Sequence, residues 1–490
     1  MARDETSDVT GKQGAAPALV TKSVSSRPYA PAVPFSFVDL FAGIGGFHAA
    51  LRAHGGQGVL ASEIDPAPSA VYERNWGLRP EGDVVALAAD AKNLIPDHDV
   101  LVGGFPCQPF SKSGAQRGMS ELRGQMVNEV LRILEVHKPA VVMLENVRNI
   151  AGPRQAEVWR AVVSGMREAG YRTPSVPCVF SPHLLPPHLG GSPQTRDRVY
   201  ILGTYVGVER ARAEKLQPPV VDRRPVDGWD PQKWDLERDL LETEHQIENK
   251  GFYALSEDER AWILAWNDFL RLTADVPLPG HPLWSTYWHD DAVVDPTAPS
   301  WKQGLEERNI RFYKENRPEI RRWQRRNPHV REFPVSRQKL EWQAQDSPRD
   351  LRACLLHLRP SGIRAKKPTY APALVAMAQT PVYGPRLRRL TVREAARLQG
   401  FPDGFRLDDQ RPALAYKQLG NAVHVGSAFH VFREHVRRDA ADIAAAGASG
   451  LVESVEASPL APCDWRSRPP LEEQLDGVSA LDGVDVFPQP

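Results

Sequence analysis

Long apolar runs are absent from this sequence of 490 residues. A membrane-spanning helix needs roughly 18 or more consecutive apolar residues, and no segment approaches that length. The first residues, Met1 to Thr6, also lack the basic start and apolar stretch that are typical of a secretory leader. These two absences predict a protein that makes no membrane contact and is located in the cytoplasm.

Cysteine is scarce as well. The chain contains four cysteines that lie far apart, without Cys-x-x-Cys spacing: Cys107, Cys178, Cys354 and Cys463. Zinc sites and small disulfide frameworks use closely spaced cysteines. The sequence therefore predicts no metal site, and each thiol has to be judged by its own neighbours.

The chain has no net charge, because 61 basic residues balance 61 acidic ones. A zero balance gives no overall sign of a nucleic-acid partner. The charges are nevertheless uneven, since arginines crowd the segment 302–339 and acids mark the last residues from Glu453 onward. The net charge of zero therefore results from basic and acidic segments that cancel each other.

The length and the changes in composition predict several domains, since single cores usually stop growing below about 250 to 300 residues. Residues 1–34 are rich in Ser, Ala and Pro and predict a flexible leader. We expect residues 35–204 and 386–437 to form one domain in two parts. Residues 205–385 are rich in Trp, Arg and Pro and are expected to form a smaller inserted domain. Residues 438–490 predict a disordered acidic tail.

Short apolar runs alternate with amphipathic stretches within residues 35–204. Buried strands of an open sheet have such runs, and here they fall at 37–41, 58–61, 100–102, 141–144 and 199–202. Strand and helix in alternation predict an α/β fold with a doubly wound, mainly parallel, Rossmann-like sheet.

A glycine-rich turn follows the first predicted strand, from Phe41 to Gly46. Glycines let the backbone approach a cofactor closely, although the spacing differs from the dinucleotide Gly-x-Gly-x-x-Gly pattern and a turn without a ligand would also use glycine. Glu63 ends the second strand, where an acid can bind ribose hydroxyls or, alternatively, cap a helix.

Cys107 follows the third predicted strand, at the sheet edge where ligands bind in open α/β folds. Nearby dipoles or cations can lower the pKa of a thiol from about 8.5 and make it a nucleophile. Buried cysteines are more often inert. Cys107 therefore depends on its neighbours for a catalytic interpretation.

Six motifs occur in the order in which the C5 DNA cytosine methyltransferases carry them, and the chain resembles that family over residues 35–204 and 386–436. The motifs are Phe-Ala-Gly-x-Gly-Gly (41–46), Phe-Pro-Cys-Gln (105–108), Glu-Asn-Val (145–147), Gln-x-Arg-x-Arg (194–198), Arg-Glu-Ala-Ala-Arg-Leu-Gln-Gly-Phe-Pro (393–402) and Gly-Asn-Ala-Val (420–423). The resemblance implies a Rossmann-like methyltransferase that uses S-adenosyl-L-methionine to methylate carbon 5 of a specific cytosine in double-stranded DNA.

The resemblance also implies catalytic roles. Cys107 would add to C6 of a flipped-out cytosine, and Glu145 would stabilise the ring at N3 and the exocyclic amine. Arg198 would lie near the cytosine carbonyl, and Arg196 would support the thiolate and its loop.

Binding residues follow from the same resemblance. Ser111, Arg117 and Gln194 are expected to contact DNA, the first two from a loop that closes over it or, alternatively, is merely solvated. The stretch after Asp83 is longer than the family leads us to expect and contains Asp90, so either acid could contact the adenine. The expected cofactor contacts are Phe41, Gly43, Gly45, Glu63, Ile64, Asp83 and Asn421.

Three other functions compete with this interpretation: a tRNA cytosine-5 methyltransferase, a catalytically silent DNA-binding relative, and a Rossmann oxidoreductase. The resemblance makes the insert 205–385 the target-recognition domain, expected to read the DNA sequence. The length of this insert favours DNA over tRNA, and the presence of Cys107, Glu145 and Arg198 disfavours a silent relative. We expect a monomer, with DNA and a restriction endonuclease of the same specificity as candidate partners.

Overall fold

The computed structural model describes residues 34–105, 117–152, 156–376 and 380–463, with backbone alone for 117–125. All of them belong to one compact unit, Pro34–Pro490. No helix within these ranges is both long enough and apolar enough to cross a membrane. The described chain forms two main sheets, each with its own core.

The larger sheet is mixed rather than mainly parallel. Its seven strands are β1 (Phe35–Leu40), β2 (Gly56–Ser62), β3 (Val100–Gly103), β4 (Val141–Val147), β5 (Tyr171–Arg172), β6 (Cys178–Phe180) and, after the short β7 (Gln194–Thr195), β8 (Arg198–Tyr205). Strands β2, β1, β3 and β4 are parallel in that order, whereas β8 runs antiparallel to β4, β5 and β6. The α/β fold is confirmed, and the parallel expectation holds for the first four strands.

Helices cover both faces of this sheet, as the apolar strands predict. The helices of the first part are α1 (Gly46–Ala53), α2 (Pro66–Trp76), α3 (Val84–Ala89), α4 (Ala91–Leu94), α5 (Arg117–His137), α6 (Ala156–Glu168) and α7 (Val208–Ala213). Side chains of α3, α5 and α6 pack with Leu101 and Val142 on one face. Phe37 and Met143 face the opposite side, where α1 packs.

The smaller sheet lies in the segment with many tryptophans. Its order is β15 (Arg388–Arg389), β14 (Val382–Tyr383), β11 (Leu355–Arg359), β12 (Gly362–Lys366), β10 (Lys339–Trp342) and β9 (Leu283–Trp284). The helices here are α8 (Leu236–Asp239), α9 (Glu257–Leu272), α10 (Ser300–Glu315) and α11 (Arg317–Arg326). Trp262, Trp266, Trp288 and Trp323 are buried between α9, α11 and the sheet, so these tryptophans are core residues.

The last described helices return to the larger sheet. They are α12 (Val392–Leu398), α13 (Pro412–Asn421), α14 (Val425–Ala445) and α15 (Ser449–Ala457). A capping box begins α12, since the Thr391 hydroxyl accepts from the backbone N–H of Glu394 and the Glu394 carboxylate accepts from that of Thr391. Phe429 and Phe432 of α14 pack in the same core as Phe37.

The prediction of a disordered tail from residue 438 is wrong for its first part. Helix α14 continues to Ala445, and Asp439 in its last turns is buried against Arg172 at 3.0 Å. Helix α15 follows, with Leu451 and Val455 fully buried. These apolar side chains anchor an alanine-rich segment whose composition alone suggested disorder. Residues 464–490 lie outside the described chain.

Candidate active site

Several predicted site residues lie at the carboxyl ends of β1, β2 and β4. Gly104 and Phe105 leave β3 toward Cys107, and Glu145 and Asn146 lie at the end of the neighbouring β4. Cys107 and Ser111 lie outside the described residues, as does the side chain of Arg117, which begins α5. Their surroundings are therefore described through the neighbours that the structure does contain.

Asn146 ties the start of the Cys107 segment to β4. Its side-chain Nδ2 donates to the carbonyl oxygen of Phe105 at 3.0 Å, and both groups are buried. A Cβ added to Gly104 would lie 3.8 Å from a carboxylate oxygen of Glu145, so the acid lies close to this backbone. The predicted nucleophile thus follows two residues that lie beside the end of β4.

Glu145 is buried and paired with Arg198, whose Nε lies 2.8 Å from its carboxylate. Burial raises the pKa of Glu145, and the charges of Arg198 and Arg196 only partly oppose that rise. A buried acid disfavours its charged form. Glu145 therefore holds a proton more readily than an exposed glutamate, as required of a group that stabilises charge on a ring nitrogen.

Arg196 is buried and binds three backbone carbonyls. Its Nη1 donates to Leu374 at 2.8 Å, and its Nη2 donates to Gly420 at 3.0 Å and to Ala422 at 2.8 Å. Burial lowers the pKa of this guanidinium, with Arg198 adding to the effect. Arg196 therefore fixes the backbone on both sides of Asn421.

The predicted DNA contact of Gln194 is not supported by its position. The side chain is fully buried, with Nε2 donating to the carbonyl of Leu398 at 2.7 Å and Oε1 accepting from the backbone N–H of Leu374 at 3.0 Å. Its strand β7 also pairs with β13 (Ala371–Pro372). Both ends of the amide are occupied, so Gln194 joins three chain segments and cannot reach DNA directly.

Glu63 organises the glycine-rich turn. One carboxylate oxygen accepts from the N–H of Gly43 at 2.9 Å, and the other accepts from the N–H of Asp65 at 2.8 Å. Phe41 and Gly43 both have positive φ, 54° and 56°, so the turn takes the left-handed conformation at two positions. Burial raises the pKa of Glu63, with the two N–H donors opposing it.

The other predicted cofactor residues surround this turn. Ile64 is 74% exposed beside Glu63, and Asn421 is exposed at the end of α13. Asp83 caps α3 by accepting from the N–H of Val85 at 2.9 Å, directly after residues 81–82, which bond to the end of β2. Asp90 lies at the other end of α3.

Two contacts at the turn were not foreseen from the sequence. A Cβ on Gly46 would lie 2.4 Å from the carbonyl oxygen of Val423, so the Gly-Asn-Ala-Val motif rests directly on the start of α1. Trp76 of α2 donates to the carbonyl of Ile44 at 3.1 Å and stacks on His48. The signal for Trp76 was weak, because a tryptophan on a helix is most often an ordinary core residue.

Comparisons with known proteins agree with this geometry. The family described as C-5 cytosine-specific DNA methylase matches residues 35–437. The Type II methyltransferase M.AluI of Cellulosimicrobium cellulans is 42% identical, with 83% of this chain and 93% of that protein covered. The Type II methyltransferase M.HhaI of Haemophilus parahaemolyticus is 40% identical, but over only 34% of this chain and 48% of that protein. The chain belongs to the C-5 cytosine-specific DNA methylase family and is a DNA (cytosine-5-)-methyltransferase.

Proposed function

We propose that this enzyme transfers the methyl group of S-adenosyl-L-methionine to carbon 5 of one cytosine within a specific double-stranded DNA sequence, with Cys107 as the nucleophile. The ion pair of buried Glu145 with Arg198, adjoining the backbone that leads to Cys107, is the observation that carries this proposal. A buried acid with a raised pKa and a fixed cation are the groups needed where charge develops on a cytosine ring.

In the proposed reaction, the deprotonated sulfur of Cys107 bonds to C6 of an extruded cytosine. The electron pair of the C5–C6 double bond shifts through the ring toward N3, where protonated Glu145 shares its proton. The C4–C5 double bond formed by this shift then supplies the electron pair for the new C5–methyl bond, while the bond from the methyl carbon to the sulfonium sulfur breaks and a neutral thioether leaves. The proton on N3 returns to Glu145. Loss of the C5 proton to water restores the C5–C6 double bond and expels the Cys107 thiolate. Arg198 keeps the Glu145 carboxyl in place throughout these steps.

The described residues fit S-adenosyl-L-methionine. Each oxygen of Glu63 accepts one backbone N–H and retains a lone pair for a ribose hydroxyl. Ile64 exposes an apolar surface against which an adenine can pack. When bound, the cofactor supplies an electrophilic methyl group on a sulfonium. Phe41, Gly45 and Asn421 complete the proposed binding site around the turn.

Asp83 is the better candidate for the adenine contact. It follows Gly82, whose carbonyl accepts from the Ser62 hydroxyl at 2.8 Å, so it lies near Glu63 at the end of β2. Asp90 is separated from that point by the whole of α3 and accepts from Asn93 at 2.8 Å. We therefore assign the role to Asp83.

The breadth of similarity to M.AluI supports a shared DNA target. DNA sequence reading is expected in the insert 205–385. The alignment with M.AluI covers 83% of this chain and must therefore include about half or more of that insert. The alignment with M.HhaI covers 34% of the chain and can leave the insert out entirely. We propose that this enzyme modifies the same sequence as M.AluI and protects it from an endonuclease of that specificity.

Random-sequence DNA is treated with this enzyme in one reaction and with M.AluI in another, and both samples are read by bisulfite sequencing. The experiment tests the proposed C5 methylation and the proposed shared DNA target. The proposal predicts C5 methylation in one common sequence context, and a different context would refute the shared target. Cys107→Ser should abolish methylation but keep cofactor and DNA binding, while Cys463→Ser serves as the matched control. Activity retained by Cys107→Ser, or methylation of tRNA in place of duplex DNA, would refute the proposed reaction.

A further inference from the structure

The face of the smaller sheet that points away from the tryptophan core is strongly basic. Strand alternation and register place one set of side chains on this outward face, because Leu340, Ile363 and Leu356 point into the core. Arg364 of β12 is paired with Glu341 of β10 on one side and with His357 of β11 on the other. The outward face comprises Lys339, Glu341, Leu355, His357, Arg359, Gly362, Arg364 and Lys366.

Glu341 holds two arginines of the outward face in fixed positions. Its carboxylate accepts from Arg359 at 3.0 Å and from Arg364 at 2.8 Å. The carboxylate side chain is 15% exposed, while Arg359 and Arg364 remain 23% and 30% exposed. The carboxylate is therefore largely covered, while the two guanidinium groups remain accessible to a ligand.

Donor groups and positive charge exceed the acceptors on this face. The Nε of Arg359 and the Nε2 of His357 are buried without a hydrogen-bond partner among the described residues. Burial and the positive charge of neighbours, Lys366 first, lower the pKa of His357 to about 4. Buried polar groups are normally satisfied, so a ligand that brings acceptors and negative charge would suit this surface.

The edge of the outward face also offers an aromatic ring. Lys339 lies over the indole of Trp284, with its Nζ 4.5 Å from the ring centre, and Trp284 is stacked on Tyr287. A cation on an aromatic ring is held in place while its charge stays available. The basic face therefore continues from β12 across β10 to β9.

One end of the outward face is joined to the core of the larger sheet. Leu355 packs in the same core cluster as Met143 of the larger sheet. Lys366 is five residues before Ala371, which pairs with Gln194 in the segment that continues to Arg198. Five residues span at most about 18 Å, and DNA advances about 3.4 Å per base pair. The face is thus within a few base pairs of the segment that carries Arg198.

We propose that the outward face contacts the major groove beside the target cytosine, and that Arg359 and Arg364, oriented by Glu341, read guanine edges. Arginine pairs bidentately with the O6 and N7 atoms of guanine, which are exposed in the major groove. This inference rests on the proposed function, since it assigns the residues that select the DNA sequence.

Three conservative variants test the inference. Arg364→Lys and Arg359→Lys keep the charge but lose the planar fork, and Glu341→Gln keeps both arginines but removes the ion pairs that orient them. Arg322→Lys is the matched control, because Arg322 is exposed on α11, across the tryptophan core from this face. Each full-length variant is checked by circular dichroism and then used to methylate a random-sequence DNA library that is read by bisulfite sequencing.

Each arginine variant should lose preference at a single base pair of the recognition sequence, on the order of tenfold to a hundredfold, while Arg322→Lys keeps the wild-type context. Glu341→Gln should relax both positions. Unchanged context in the folded variants, or a loss that is uniform over all contexts as for phosphate contacts, would overturn the inference. A wild-type enzyme that methylates no cytosine would instead refute the proposed function.

Discussion

Replacement of Asn146 with Asp tests whether β4 positions the segment that leads to Cys107. The Asn146 Nδ2 donates to the Phe105 carbonyl at 3.0 Å, while its Oδ1 accepts from the N–H of Val147 at 2.8 Å. Aspartate has the same shape and keeps the second hydrogen bond. The variant therefore replaces a single buried donor with an acceptor that faces the Phe105 oxygen.

The substitution is expected to lower both the stability and the rate. A buried carbonyl without a partner costs about 1 to 3 kcal/mol, which sets the loss in free energy of unfolding if the backbone at Phe105 stays in place. If that backbone shifts to relieve the repulsion, Cys107 moves with it. A displacement of about 1 Å at a reacting group costs on the order of a hundredfold in rate, so we expect the single-turnover rate to fall by about that factor.

The pH dependence separates positioning from general damage. Burial raises the pKa of the new carboxyl, because it disfavours the charged form. Below that pKa the carboxyl is protonated and can donate to Phe105, and above it the two oxygens repel each other. The rate of Asn146→Asp relative to wild type should therefore rise as the pH falls. Asn146→Ala has no donor at any pH and should show no such recovery.

Single-turnover methylation of a saturating DNA substrate, followed by incorporation of labelled methyl groups over the pH range of the intact fold, measures these ratios. Thermal unfolding reports stability separately. A wild-type rate for Asn146→Asp at neutral pH, or the same pH trend for Asn146→Ala, would show that the hydrogen bond to Phe105 does not position the nucleophile.

Three further predictions concern the cofactor turn and the last helix. Glu63→Gln should weaken S-adenosyl-L-methionine binding about tenfold or more by calorimetry, because both carboxylate oxygens accept backbone N–H groups; an unchanged affinity would contradict the assignment. Gly46→Ala should lower the free energy of unfolding by about 1 to 3 kcal/mol in denaturant titrations, since its Cβ would lie 2.4 Å from the Val423 oxygen. Leu451→Ala should lower it by about 2 to 5 kcal/mol, and an unchanged transition would remove α15 from the cooperative fold.

Strand positions could be predicted because buried strands leave continuous apolar runs. The apolar run 37–41 ends one residue after the last residue of β1 (Phe35–Leu40). The run 199–202 lies inside β8 (Arg198–Tyr205). Strand direction left no such mark. The chain between β4 and β8 contains α6 and two short strands that both pair with β8, so the usual right-handed parallel crossover does not apply.

The end of the chain was misjudged for a different reason. Alanine-rich, charged sequence is typical of mobile tails, but alanine is also the strongest helix former. Helix α14 needs only a few large side chains, such as Phe432 and Ile443, to dock against the larger sheet, and α15 uses Leu451 and Val455. A few widely spaced apolar residues are enough to pack an alanine-rich helix against a core. They are too few to make the composition of the segment look like that of a folded region.

Arg196 and Arg198 show where sequence reasoning stops within the site. Two arginines spaced by one residue suggest a strand that presents both to the same ligand, yet β8 begins only at Arg198. Arg198 pairs with Glu145, whereas Arg196 lies in the connection from β7 and binds the carbonyls of Leu374, Gly420 and Ala422. One side chain therefore pairs with the acid that is proposed to act on the substrate, and the other fixes the motif proposed to hold the cofactor. Because these carbonyls are more than a hundred residues away in sequence, no local pattern could reveal them.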